Sequence, residues 1–257
     1  MEDRLTRTNT DTAISHFGLR FQNNAGDLAG FFWRGVLLFY IVPGIQLFPM
    51  KKYLTEFIGT FFLVFTVGMT VVPLSIGSFA PVAIGSALMI MVYAGGHVSG
   101  GHYNPAVTLA VWLRGRCPTA DVLPYWGSQI AGSIVASILV LVLKNEPTVF
   151  PSDINGFHAL IAEFIGTFAL AYVFLNVTTA KATAGNSFYG LAIGFTVMVM
   201  AFGLGGTSGG AFNPAVATGI IIMHLFKASD WWVYLIGCFG GAVLAATVFK
   251  FINPEDK

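Results

Sequence analysis

Charge is what this sequence has least of. Thirteen Lys and Arg against twelve Asp and Glu make only 10% of 257 residues charged and leave a net charge of +1. A typical soluble domain carries about 25% charged residues, so a water-facing surface of this size cannot be covered. The same shortage removes the basic footprint that nucleic-acid binding needs. Cysteine is nearly absent as well. Cys117 and Cys238 are too few for a disulfide framework or a zinc site, so no metal and no cofactor is expected. No basic-led apolar stretch with a small-residue cleavage site opens the chain, so a removed signal peptide is not expected. What is abundant is apolar: 55% of all residues, with 14% aromatic. That excludes disorder and leaves a membrane protein with several spans of about 20 apolar residues each.

Six long apolar segments follow residue 50, at roughly 53–72, 80–94, 122–143, 157–177, 188–204 and 231–251. They lack period-2 alternation, which predicts an all-α membrane bundle and not a barrel. Glycines inside them (Gly59, Gly85, Gly132, Gly166, Gly194, Gly241) read as close helix packing in lipid. With the N-terminus inside, Lys51, Lys52, Arg114, Arg116, Lys181, Lys250 and Lys257 fall on the cytoplasmic side and only Lys144 and Lys227 outside. Both termini are therefore expected in the cytoplasm. Trp126, Trp231, Trp232 and Tyr234 read as interfacial belt residues, and the Phe-rich stripes as lipid or core contacts.

Two further apolar segments, 104–113 and 213–225, are too short to cross, and each follows a Gly-rich stretch. A nine-residue helix covers ~13 Å, under half of a ~30 Å hydrocarbon core. Non-helical backbone at that depth needs a protein interior or a water-filled cavity. Two re-entrant half-helices thus predict a cavity.

The chain also repeats itself at an offset near 108. Thr55-Glu56-Phe57-Ile58-Gly59-Thr60-Phe61 matches Ala162-Glu163-Phe164-Ile165-Gly166-Thr167-Phe168, and Ser99-Gly100-Gly101-His102-Tyr103-Asn104-Pro105-Ala106-Val107 matches Ser208-Gly209-Gly210-Ala211-Phe212-Asn213-Pro214-Ala215-Val216. Three spans per copy force the second copy in upside down, an inverted repeat over about 50–143 and 157–252 whose solute site lies at the midplane. Each Asn-Pro-Ala is a strong helix start, an N-cap followed by Pro at the first helical position. Two such N-termini facing each other each present about +0.5 of a charge, and the amides of Asn104 and Asn213 add donors. A water there points its oxygen at both, which breaks a proton wire and repels cations.

Two Asn-Pro-Ala boxes in a six-span inverted repeat resemble the aquaporin (major intrinsic protein) family over about residues 50–252. The resemblance implies one pore per subunit in a homotetramer embedded in membrane lipid, with box residues Asn104, Pro105, Ala106, Asn213, Pro214 and Ala215. It also implies that Glu56 and Glu163 anchor the re-entrant loops, as their symmetric placement already argues over a proton relay. The family's outer filter normally carries an Arg directly after the second box, where this chain has Val216; counting back places the remaining filter positions at Ile84, Ala201 and Gly210. The quartet is small and apolar. A permissive pore is expected, passing water and small uncharged solutes such as glycerol, urea, ammonia or hydrogen peroxide, in a cell membrane.

His97 and His102 approach the first box from the cytoplasmic side, either bonding the loop backbone or lining a vestibule. A strict water channel and a non-conducting junction protein stay open as alternatives. An ion channel is disfavoured because no Asp, Lys or Arg can be placed beside the pore. A hydrolase, the enzyme alternative, would need Ser99 paired with His97 or His102, and no nucleophile elbow surrounds it. Residues 1–49 have no counterpart in the repeat. Two readings stand for them: a segment lying on the membrane surface, or translation that begins at Met50.

Overall fold

The computed structural model describes residues 48–72, 79–145, 149 and 151–256. The expected N-terminal extension, apart from residues 48 and 49, lies outside the described residues, as does Lys257. Among the described residues eight α-helices follow in order: α1 Phe48–Val71, α2 Ala80–Ser99, α3 Pro105–Leu113, α4 Thr119–Leu143, α5 Gly156–Thr178, α6 Tyr189–Ser208, α7 Pro214–Ile222 and α8 Trp231–Ile252. Among the described residues, six helices are long and apolar enough to cross a membrane. The other two, α3 and α7, have nine residues each.

Helix ends differ from the sequence reading in an instructive way. The segment expected to stop at 94 continues through Gly95 and Gly96 to Ser99, and the one expected to stop at 204 continues through Gly205 and Gly206 to Ser208. Glycine does not end a helix held by its neighbours. What ends each is a left-handed residue, Gly100 at φ 90° and Gly209 at φ 88°, a conformation free of steric cost only for glycine. The segment expected over 213–225 ends early at Ile222, where His224 turns left-handed at φ 58°.

The long helices pair α1 with α4, α5 with α8, and α2 with α6. Each pair closes on a glycine. A Cβ on Gly132 would stand 2.5 Å from the Phe57 carbonyl oxygen of α1, and one on Gly241 would stand 2.4 Å from the Phe164 oxygen of α5. In α2 and α6 the contact is mutual, 2.6 Å from Gly85 to the Gly194 oxygen and 2.4 Å in reverse. Only small residues let backbones come this near. Each half-helix packs against the last long helix of the other half of the chain, α3 on α8 and α7 on α4. Ser133 of α4 donates to the Ala215 carbonyl at 2.6 Å, and Ser137 to the Gly219 carbonyl at 3.3 Å. These cross-contacts bring the two boxes together.

Candidate functional site: a pore between two half-helices

Glu56 is wholly buried and accepts four hydrogen bonds: Ser99 Oγ at 2.7 Å and His102 N at 2.9 Å on Oε1, Tyr103 N at 2.6 Å and Gln129 Nε2 at 2.8 Å on Oε2. Glu163 takes the matching set, Ser208 Oγ at 2.6 Å, Ala211 N at 3.0 Å and Phe212 N at 2.6 Å, with the Cys238 thiol at 3.5 Å standing where Gln129 stands in the first half. An acceptor-only carboxylate suits a loop whose N–H groups have no helical partner. Tyr103 and Phe212 are both left-handed, at φ 50° and 48°, so that chain direction reverses into each half-helix.

Asn104 caps α3, accepting from Ala106 N at 2.8 Å, and Asn213 caps α7, accepting from Ala215 N at 2.9 Å. Each side-chain amide also donates across the junction, Asn104 Nδ2 to the Phe212 carbonyl and Asn213 Nδ2 to the Tyr103 carbonyl, both at 2.9 Å. One N–H of each amide is so engaged, and the other is left for a molecule between the helix ends. The two half-helices meet N-terminus to N-terminus, with both partial positive ends at one point.

A cavity of about 440 Å³ is lined by both asparagines and by all four residues counted as the filter, Ile84, Ala201, Gly210 and Val216. Its polar side chains are Asn104, Asn213 and His102, and no Asp, Glu, Lys or Arg is among its lining residues. A second cavity of about 500 Å³ opens at the end of the molecule that carries Arg116 and Lys181; we call this the basic end.

The family profile "Major intrinsic protein" matches residues 45–249. The chain belongs to that family. It is 39% identical over 223 residues to the glycerol uptake facilitator protein-like 6 of Lactiplantibacillus plantarum, covering 80% of this chain and 100% of that one. Against nodulin-26 of Glycine max it is 34% identical over 218 residues, covering 81% and 80%. The crystal structure of the aquaglyceroporin from Plasmodium falciparum shares the fold, with a TM-score of 0.66 at 23% identity, covering 80% of this chain and 98% of that one. As a major intrinsic protein it is a multi-pass membrane channel for water and small solutes, not an enzyme.

Several single-residue expectations need correction in this aquaporin-type frame. His97 lies exposed in the last turn of α2 and lines neither cavity. His102, only five residues on, lines both, because the turn after Ser99 reverses the chain. Tyr234 is no belt residue: it is wholly buried and donates to the Ser208 carbonyl at 2.7 Å, as Tyr125 donates to that of Ser99 at 2.8 Å. Trp126 is half-buried and donates to the Pro105 carbonyl at 3.0 Å, holding the start of α3. Cations do stand beside the pore, since Arg116 and Lys181 line its basic mouth. Ser99 Oγ is engaged by Glu56 and His102 Nδ1 by Thr108 Oγ1 at 3.1 Å, so no Ser–His pair forms. Cys117 also lines that mouth, where burial and then the nearby Asp121 carboxylate push its thiol up to about 11; it is a poor nucleophile.

Proposed function

We propose that this channel passively conducts water and small uncharged solutes, among them glycerol, urea, ammonia or hydrogen peroxide, while excluding protons and ions. The observation that carries this is the composition of the cavity around the boxes: Ile84, Ala201, Gly210 and Val216 line it together with Asn104 and Asn213, and no charged residue does. A guanidinium at position 216 would add a fixed positive barrier, and Val adds none. Similarity to a glycerol uptake facilitator-like protein supports passage of polyols. The paired amides and the facing helix ends orient a transiting water by its oxygen, which interrupts proton hopping.

In this reading the chain is a homotetramer with one pore per subunit, set in the lipid of a cell membrane with its basic end in the cytoplasm. Arg114, Arg116 and Lys181 at that end follow the positive-inside rule.

Stopped-flow volume change of proteoliposomes, with a pH-gradient control, tests the proposal. Swelling with glycerol and urea at an intact proton gradient is expected. Conduction of water alone would make it a strict water channel, and no acceleration at all a junction protein. Val216→Arg is expected to cut glycerol flux several-fold and water flux less. Unchanged glycerol flux would remove position 216 from the filter.

A further inference from the structure

We propose that the size limit of this channel is set by a collar of His102 and Phe174 toward the basic end, and not by the ring around Val216. The proposal rests on the neutral-solute reading above and locates its limiting step.

The two cavities share two lining residues, His102 and Phe174. Their rings meet edge to face, with centroids 5.6 Å apart and planes at 83°, the packed geometry of an aromatic pair. Helix α5 runs along the pore as a one-turn ladder: Leu170 lines the cavity around the boxes, Phe174 both, and Thr178 the basic mouth. On α3, Val107 lines the first and Val111 the second. The two cavities therefore adjoin at the level of Phe174 and His102.

The repeat supplies an internal control. Glu56 matches Glu163, so Val67 of α1 is the counterpart of Phe174, and from the Asn104–Asn213 match Ala211 is the counterpart of His102. Val67 and Ala211 both line the cavity around the boxes, which continues past them to Val71 on the side away from the basic end. The same backbone carries Val and Ala on one side of the boxes and Phe and His on the other. Only the side with rings divides the space.

The collar is held in place. His102 Nδ1 is engaged by Thr108 Oγ1 at 3.1 Å, its ring lies 5.2 Å from that of Tyr125, and its backbone N–H is fixed by Glu56. Nε2 makes no hydrogen bond to a described residue and is the polar atom offered to a passing molecule. A solute here meets one acceptor or donor and an aromatic face, in contrast to the two amides at the boxes.

The test compares Phe174→Val, which copies Val67, with Val216→Ala, which widens the ring. Permeability to water, urea, glycerol and erythritol is measured in proteoliposomes with a proton-gradient control. Phe174→Val is expected to raise glycerol and erythritol flux at least threefold and water flux less, while Val216→Ala changes each by less than 1.5-fold. Should Phe174→Val fold poorly, Phe174→Leu is read for the same ordering at smaller size. Unchanged solute flux in the Phe174 variants, with or without a rise in Val216→Ala, overturns the collar. The wild-type panel separates the two claims. A wild type that passes water alone and gains glycerol flux in Phe174→Val keeps the collar and ends the permissive reading. A wild type that passes glycerol and is unmoved by Phe174→Val does the reverse.

Discussion

The two halves of this channel share a backbone and differ in the chemistry that surrounds it. Around the first box Glu56 meets Gln129, Thr108 bridges Gln129 and His102, and Arg114 ends the half-helix. At the matching places the second half has Glu163 with Cys238, then Ala217 and Ala211, and Met223. The loop path needs only what both halves keep: a carboxylate, a serine, two left-handed glycines and an asparagine cap. The side chains packed around that path diverge at several places, toward polarity at the basic end, while Tyr125 and Tyr234 are kept. Duplication thus fixes geometry while leaving each mouth its own lining.

The comparison breaks most readily at the anchors. Glu56→Ala strands two backbone N–H groups, a serine and an amide, whereas Glu163→Ala strands two N–H groups, a serine and only a weak thiol donor. Each buried donor left unpaired costs about 1–3 kcal/mol, against a total stability of about 5–15 kcal/mol. No folded channel is expected from Glu56→Ala and a small fraction from Glu163→Ala, read as monodisperse yield in detergent. Equal yields would end the ranking.

Next in size is the end of α3. Arg114 has a side chain only 3% exposed, pairs with Asp256 at 2.7 Å and lies 4.8 Å over the Phe249 ring, where a cation also suits the helix C-terminus. Asp256→Ala should cost about 1.5–3 kcal/mol, the value of a hydrogen bond to a charged group, seen as a lower unfolding midpoint. Asp256→Asn, which keeps an acceptor, should cost less; an unmoved midpoint in both would show the pair idle.

A smaller effect separates two glycines. A Cβ on Gly59 would stand 2.1 Å from the Tyr103 ring, and one on Gly166 2.2 Å from the Phe212 ring. Tyr103 is tied by its hydroxyl to the Met91 carbonyl at 2.9 Å, and Phe212 has no such tether. Gly59→Ala should therefore exceed Gly166→Ala by about 0.5–1.5 kcal/mol, one hydrogen bond's worth, in paired denaturation curves. The opposite order would mean that Tyr103 yields more easily than Phe212. The smallest effect is at the far mouth, where Asp153 pairs with Lys227 on the exposed surface. Asp153→Ala is expected to leave the unfolding midpoint unmoved, because exposed pairs add little; a clear drop would show that this mouth is held by charge.

Much of the site was legible along the chain because it is duplicated. Two copies of Asn-Pro-Ala, and a Glu standing 48 residues ahead of the first and 50 ahead of the second, announce themselves without coordinates. Phe174 did not, since one more Phe in a Phe-rich span looks like a lipid contact. Only its alignment with Val67 marks it. His97 and His102 look equivalent in sequence, yet a helix that runs on to Ser99 and then reverses leaves them on different surfaces. Tyr234 fits a belt by composition, but its hydroxyl is needed by the Ser208 carbonyl inside the bundle.

The order of residues alone established a membrane bundle, an inverted duplication and two facing helix starts, because hydropathy, period and capping are local properties. Which side chains share the pore depended on how α5 rotates against α3 and how a loop turns after Ser99. Those are matters of packing between segments far apart in the chain, and no local pattern encodes them. The scarcity of charge follows the same division. The sequence shows that few charges exist, and the folded chain keeps them out of the cavity around the boxes while placing Arg116 and Lys181 at its basic mouth.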